Sequence, residues 1–80
     1  MVILITGITS GFGRAMAAQL NSDGHKVYGT YRRDSDQIPG VTYIKADVRD
    51  SNAVNSVIDT VIQSEGRIDV FINNAGMGIG

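Results

Sequence analysis

The 80-residue sequence contains no cysteine. That excludes a disulfide scaffold, a cysteine zinc site and a thiol nucleophile. It has no excess of positive charge either: 7 Lys and Arg stand against 8 Asp and Glu, a formal net charge of −1. Nucleic acids and anionic membrane surfaces select proteins with a basic excess, so neither partner is expected. No apolar stretch is long enough to span a bilayer. The apolar run Met1 to Ile5 lacks a preceding basic region and gives way to polar residues and glycines. It therefore does not read as a signal peptide, and a cytoplasmic protein is expected. Proline occurs once, at Pro39, and histidine once, at His25. What is present is a globular share of hydrophobic residues, 42%, and 10 glycines in 80 positions. The first argues against disorder. The second indicates glycine used for backbone geometry, so its placement becomes the question.

Val2-Ile3-Leu4-Ile5 is an unbroken β-branched run that suits a strand buried on both faces. A helix is expected from about Phe12 to Asp23, with Phe12, Met16 and Leu20 on one face and Gly24 as its stop. Lys26 to Tyr31 reads as a second strand, Arg32 to Gly40 as a loop and Val41 to Lys45 as a third strand. Val54, Val57, Ile58, Val61 and Ile62 recur at helical spacing, with Asp50 or Ser51 to cap the start and Gly66 the end. Ile68 to Ile72 reads as a fourth strand. The order β-α-β-β-α-β, with strands apolar on both faces, predicts one domain of α/β class: a doubly wound parallel sheet of about four strands and two helices. One connection strains this. A parallel crossover usually needs about a dozen residues, and 32–40 offers fewer. Either it crosses as an extended loop, or the third strand lies elsewhere.

In an open parallel sheet, ligands bind beyond the carboxyl ends of the strands. Two glycine clusters fall at such ends, Gly7 to Gly13 and Gly76 to Gly80. A helix that begins near Phe12 presents unpaired N–H groups, which suit phosphate. The spacing Gly7-xxx-Gly11-x-Gly13 is neither the P-loop nor G-x-G-x-x-G. Taken alone it also suits a tight strand-to-helix turn with no ligand.

Thr6-Gly7-Ile8-Thr9-Ser10-Gly11-Phe12-Gly13 resembles the T-G-x-x-x-G-x-G turn of the short-chain dehydrogenase/reductase family. Asn73-Asn74-Ala75-Gly76 resembles that family's N-N-A-G after its fourth strand, and Asp47-Val48 its Asp ahead of the intervening helix. The three motifs stand in the family's order across the whole chain. The resemblance implies a Rossmann-type fold. It also implies cofactor contacts from Gly7, Thr9, Ser10, Gly11, Phe12 and Gly13. Asp47 and Val48 would meet the adenine. Asn74, Ala75 and Gly76 would line the ribose and nicotinamide side, and Asn73 would tie the central strands. The bland readings stand beside these: Asn73 and Asn74 as turn caps, and Asp47 as a turn residue. Asp50 is the better helix cap, which leaves Asp47 freer for a ligand.

In dinucleotide-binding folds an acidic residue near the end of the second strand holds the ribose 2′-hydroxyl of NAD. Here Tyr31 and Arg32 occupy that place, followed by Arg33, and no carboxylate comes before Asp34. Arg is a natural partner for a 2′-phosphate. The cofactor expected is therefore NADP, with NAD the lesser candidate. The rival reading is a solvated basic loop balanced by Asp34 and Asp36. His25 follows Gly24 at a helix end and reads as a solvated or dipole-compensating residue. Phe12 reads as half packing and half backbone donor.

By the same resemblance, the chemistry would rest on a Ser and a Tyr-x-x-x-Lys pair. Four residues beyond Tyr28, Tyr31 and Tyr43 stand Arg32, Ser35 and Asp47, so no such pair is present and no catalytic residue is assigned. No metal site is expected. The resemblance thus implies the amino-terminal, cofactor-binding portion of a longer reductase that moves hydride between nicotinamide and a carbonyl or alcohol substrate, with a homo-oligomer expected for the full-length protein. The alternative is a non-catalytic dinucleotide-binding module, a sensor or structural element, on the same fold. An isolated 80-residue chain is expected to be marginal, because strand four would leave an apolar sheet edge bare.

Overall fold

The computed structural model describes residues 1–9 and 11–75. Ser10 and Gly76 of the expected site lie outside them, as do Met77 to Gly80. The elements are β1 (Val2–Ile5), α1 (Gly11–Ser22), β2 (Lys26–Tyr31), β3 (Thr42–Lys45), α2 (Ser51–Glu65) and β4 (Val70–Ile72). All strand pairs are parallel, in the order β3-β2-β1-β4. The chain thus runs outward from β1 on one side, then returns to place β4 on the other. The order reverses between β1 and β4, where open α/β sheets form ligand crevices.

Alternation along β1 divides the interior in two. Ile3 and Ile5 face one cluster with Ile8, Val27, Val41 and Ala17 of α1. Val2 and Leu4 face the other, with Tyr28 and with Val57 and Val61 of α2. Both faces of β1 are therefore covered, each by one helix, as the unbroken apolar run predicts. Among the described residues, neither helix is long and apolar enough to cross a membrane.

The helix ends follow local rules. Asp50 caps α2 by accepting the Asn52 N–H at 2.9 Å, and Gly66 closes it at φ +82°. Beyond α1, the His25 N–H donates to the Leu20 carbonyl at 3.1 Å and the Gly24 N–H to that of Asn21 at 3.1 Å. That pairing requires a left-handed residue, and Gly24 has φ +93°. His25 Nδ1 lies 3.2 Å from the Met1 amine at the surface.

Three expectations need correction. Met16 and Leu20 pack on the first cluster, but Phe12 is 83% exposed. It stands in the first turn of α1, past the carboxyl edge of the sheet, where the described residues offer no cover. The fourth strand is shorter than 68–72: the Asp69 N–H still donates to the Val2 carbonyl at 2.9 Å, but the return bond from the Val2 N–H goes to the Asp69 carboxylate, at 2.6 Å, and not to a backbone carbonyl. That bond from the Val2 N–H, more than Arg67, holds the Asp69 carboxyl below its ordinary range. The third strand starts at Thr42 rather than Val41, whose N–H turns back to the Ile38 carbonyl at 3.2 Å. The crossover from β2 to β3 is nevertheless parallel and runs without a helix, so the short connection is real.

Gly29, in the middle of β2, has a purely steric role. A Cβ there would lie 2.1 Å from Ile8 Cδ1 and 2.8 Å from Ile8 Cγ2, and Ile8 is fully buried. Gly29→Ala in the intact protein should lose about 1–3 kcal/mol of stability in denaturant unfolding. Adding Ile8→Ala should make the double variant more stable than the sum of the two single losses. Simple additivity would show that the two positions do not compete for the same space.

Candidate functional site

The carboxyl ends of β1 and β4 are knotted together by one hydroxyl. Thr6 Oγ1 donates to Asn73 Oδ1 at 3.0 Å and accepts the Ala75 N–H at 3.0 Å. Asn74 Nδ2 donates to the Gly7 carbonyl at 2.9 Å. From the other side, Thr30 of β2 holds the same turn. Its hydroxyl accepts the Gly7 N–H at 2.9 Å and its carbonyl the Ile8 N–H at 3.0 Å. Asn73 thus ties the β4 exit to the β1 exit through the Thr6 hydroxyl, and Asn74 caps the glycine turn at the Gly7 carbonyl.

Glycine is needed in this turn for two different reasons. Gly7 and Gly11 have φ of +72° and +60°, where a side chain is strained. Gly13 has no such angle, but its Cβ would lie 1.9 Å from the Gly7 carbonyl oxygen and 2.6 Å from Asn74 Nδ2. The first turn of α1 thus rests directly on the end of β1. Over Gly11 the situation is the opposite: nothing among the described residues lies within 4 Å of where a Cβ would stand. Gly11, the first residue of the helix, is exposed among the described residues, and the first N–H groups of any helix lack an internal partner.

A second group assembles at the carboxyl ends of β2 and β3. Arg32, Arg33, Lys45, Ala46 and Asp47 line an open cleft of about 540 Å³. Beside it, Arg32, Asp47, Val48, Arg49 and Ala75 line another of about 420 Å³. Ala75 links the two groups, since its Cβ stands 3.2 Å from where one on Gly7 would be. The glycine turn, the Asn73–Ala75 turn, Asp47-Val48 and the paired arginines therefore form one continuous edge. Of the expected residues, Arg32, Arg33, Asp47, Val48 and Ala75 line the clefts, and the side chains of Tyr31 and Phe12 are turned elsewhere. Tyr31 sets its ring edge-on against Tyr43, centroids 6.1 Å apart, and Phe12 points its side chain to solvent.

Asp47 is not free, contrary to the sequence reading. Arg49 grips it with a fork: Nε to Oδ1 at 2.9 Å and Nη2 to Oδ2 at 2.7 Å, with the Arg49 N–H adding a bond to Oδ1 at 3.1 Å. These bonds, the side-chain pair first, hold the Asp47 carboxyl down at about 2. The cleft therefore keeps one anion beside Arg32, Arg33 and Lys45, and suits a ligand with more than one negative group. Thr30, Lys45 and Arg49 escaped the sequence reading. Thr30 looks like an ordinary β-branched strand residue; its one signal is a hydroxyl in a strand buried on both faces.

The fit of a dinucleotide is tested on these observations. Among the described residues, no buried side-chain polar atom lacks a hydrogen-bond partner, so no orphan group points to a ligand. The fit rests on the helix start at Gly11, exposed among the described residues, and on the cationic cleft joined to it through Ala75. Both suit phosphate groups, and a dinucleotide carries phosphates along its length. Among the described residues, no cluster of three or more His, Asp or Glu could hold a metal.

Comparison with known proteins agrees with this geometry. The sequence profile described as short chain dehydrogenase matches residues 1–80. The chain is 49% identical over 79 residues to a 3-ketodihydrosphingosine reductase of Bacteroides thetaiotaomicron, covering 99% of this chain and 29% of that protein. It is 33% identical over 87 residues to the NADP-dependent 3-hydroxy acid dehydrogenase YdfG of Shigella flexneri, covering 100% of this chain and 35% of the relative. Among solved structures it resembles the ligand-free aldohexose dehydrogenase of Thermoplasma acidophilum, with a TM-score of 0.85 and 32% identity over 91% of this chain and 28% of that one. The chain thus spans about a third of the length of the relatives it matches.

Two outcomes are expected. Thr6→Val removes the bond to Asn73 and leaves the Ala75 N–H without the Thr6 hydroxyl, and should cost about 1–3 kcal/mol in unfolding of the intact protein. For Asp47 the folded state lowers the pKa. Whatever its pairing contributes is present above the ordinary carboxylate range and is lost as pH falls from about 4 towards 2. A carboxyl-carbon NMR titration should place Asp47 at about 2. In Arg49→Met it should return towards the ordinary value; an unmoved midpoint would show that the fork is not the cause.

Proposed function

Because the chain belongs to the short-chain dehydrogenase family over residues 1–80, we propose that it forms the amino-terminal, cofactor-binding part of a longer single-domain oxidoreductase that prefers NADP to NAD. The whole enzyme, in this reading, works as a homo-oligomer on a small carbonyl or alcohol substrate. When bound, the nicotinamide dinucleotide supplies hydride transfer. This chain's residues bind and orient it. Gly7, Thr9, Ser10, Gly11, Phe12 and Gly13 cradle its phosphates, mainly through backbone. Asp47 and Val48 flank the adenine, with the Asp47 carboxylate set by Arg49. Asn74, Ala75 and Gly76 line the far ribose. Tyr31 contributes backbone and ring packing at the end of β2, beside Arg32 and Arg33.

One observation carries the cofactor preference: the cleft at the ends of β2 and β3 is lined by Arg32, Arg33 and Lys45. The position where NAD-selective folds place a carboxylate is held here by Tyr31 and Arg32. A phosphate on the 2′ position gives that cluster a partner, and a hydroxyl does not. The relatives' names support an enzyme rather than a non-catalytic module, since they are reductases and dehydrogenases. The sequence holds no Tyr-x-x-x-Lys, so proton transfer to the substrate oxygen would fall to other parts of the protein.

Titration calorimetry of the intact protein with NADPH and NADH tests this. NADPH should bind more tightly. Arg32→Ala should weaken it by roughly 10- to 100-fold, the range for a charge-assisted hydrogen bond, and leave NADH nearly unchanged. Equal affinities in the unaltered protein, or an unmoved NADPH affinity in Arg32→Ala, would refute the assignment.

A further inference from the structure

The segment 32–40 carries both arginines of the cleft and crosses from β2 to β3 without a helix to stiffen it. Its order must therefore come from elsewhere. Three side-chain bonds supply it. Arg14 Nη1 donates to the Asp36 carbonyl at 2.7 Å, Asn21 Nδ2 donates to the Pro39 carbonyl at 3.0 Å, and the Ile38 N–H donates to Tyr43 Oη at 2.9 Å. Ile38 also packs on the first core cluster. Gly40, at φ +91°, lets the backbone close onto Asn21, whose Oδ1 would lie 2.9 Å from a Cβ there.

Arg14 and Asn21 stand two turns apart on one face of α1. The same helix begins in the glycine turn. We propose that α1 governs the choice of cofactor from outside the cleft: Arg14 and Asn21 are positioning residues that strap the 32–40 loop so that Arg32 and Arg33 stand ready for a 2′-phosphate. The inference rests on the NADP reading above. A loop held in place before binding loses little freedom when the ligand arrives, whereas an unstrapped one loses its freedom then and binds more weakly. NADH carries no 2′-phosphate for Arg32 and Arg33 to meet, so loosening the strap should weaken NADPH far more than NADH.

The test compares Arg14→Met, Asn21→Ala and Arg14→Lys with Arg32→Ala in the intact protein, by calorimetric titration with NADPH and NADH. Arg14→Met and Asn21→Ala should each weaken NADPH by roughly three- to tenfold, the range for one lost hydrogen bond, with NADH unchanged within about twofold. Arg14→Lys, which can still donate to the Asp36 carbonyl, should keep most of the NADPH affinity. If Arg14→Met weakens NADPH and Asn21→Ala does not, Arg14 acts as a charge on the ligand and positioning is overturned. Equal losses for both cofactors would mean general damage to the fold and would also overturn it. If Arg32→Ala removes the preference while both strap variants retain it, this inference fails and the NADP reading stands. If Arg32→Ala leaves the preference intact, the NADP reading fails and carries the strap with it.

Discussion

Helix α1 can sit on the end of β1 only because position 13 carries no side chain. The Gly7 carbonyl and the Asn74 amide occupy the space that a Cβ would need. That close approach fixes much else. It aims the first turn of α1 along the sheet edge and stacks the β4 exit against the β1 exit. It also places Ala75 beside both the glycine turn and the cationic cleft. Thr6 and Thr30 then lock the junction from β1 and β2 with hydrogen bonds that a methyl group could not make. Sterics set the distance between the elements, and buried hydroxyls set their register.

The fold was largely legible because its signals are local and redundant. Val2 to Ile5 is apolar at every position since helices cover both faces. Val57 and Val61 face the core at helical spacing, and Asp50, Gly24 and Gly66 end their helices by rules that act within a few residues. The errors arose where a distant or polar partner decides. Periodicity placed Phe12 with Met16 and Leu20, but no periodicity shows that the sheet ends beneath the first turn. Asp69 reads as a strand residue until Val2, far off in sequence, takes its carboxylate. Asp47 looked available because Asp50 caps the helix, whereas Arg49 had claimed it from two residues away. Gly29 and Gly40 carried no local meaning at all. Each makes sense only against Ile8 or Asn21.

The two helices also divide the labour between stability and recognition. Arg14 and Asn21 of α1 bind the 32–40 loop and Gly11 and Gly13 stand at the site, and the helix's fully buried contribution is narrow: Gly13 and Ala17. Helix α2 is capped at both ends and places Val57 and Val61 on the opposite face of the sheet. There Tyr28 donates its hydroxyl to Glu65. That bond comes first, before burial and the carboxylate's charge, in raising the Tyr28 phenol above its ordinary value.

The register of the sheet also bears on how the chain is made. Ile3 pairs with Val27 on one side and with Val70 on the other. The first of these four strands to be synthesised thus becomes an inner one, and its second neighbour is the fourth. At about 5–20 residues per second, a ribosome reaches Val70 several seconds after Ile3. Throughout that interval one edge of β1 has donors and acceptors but no partner, next to side chains destined for the core. The same pairing that brings Thr6 to Asn73 and Ala75 therefore makes the nascent chain a template for wrong strands until residue 70 emerges.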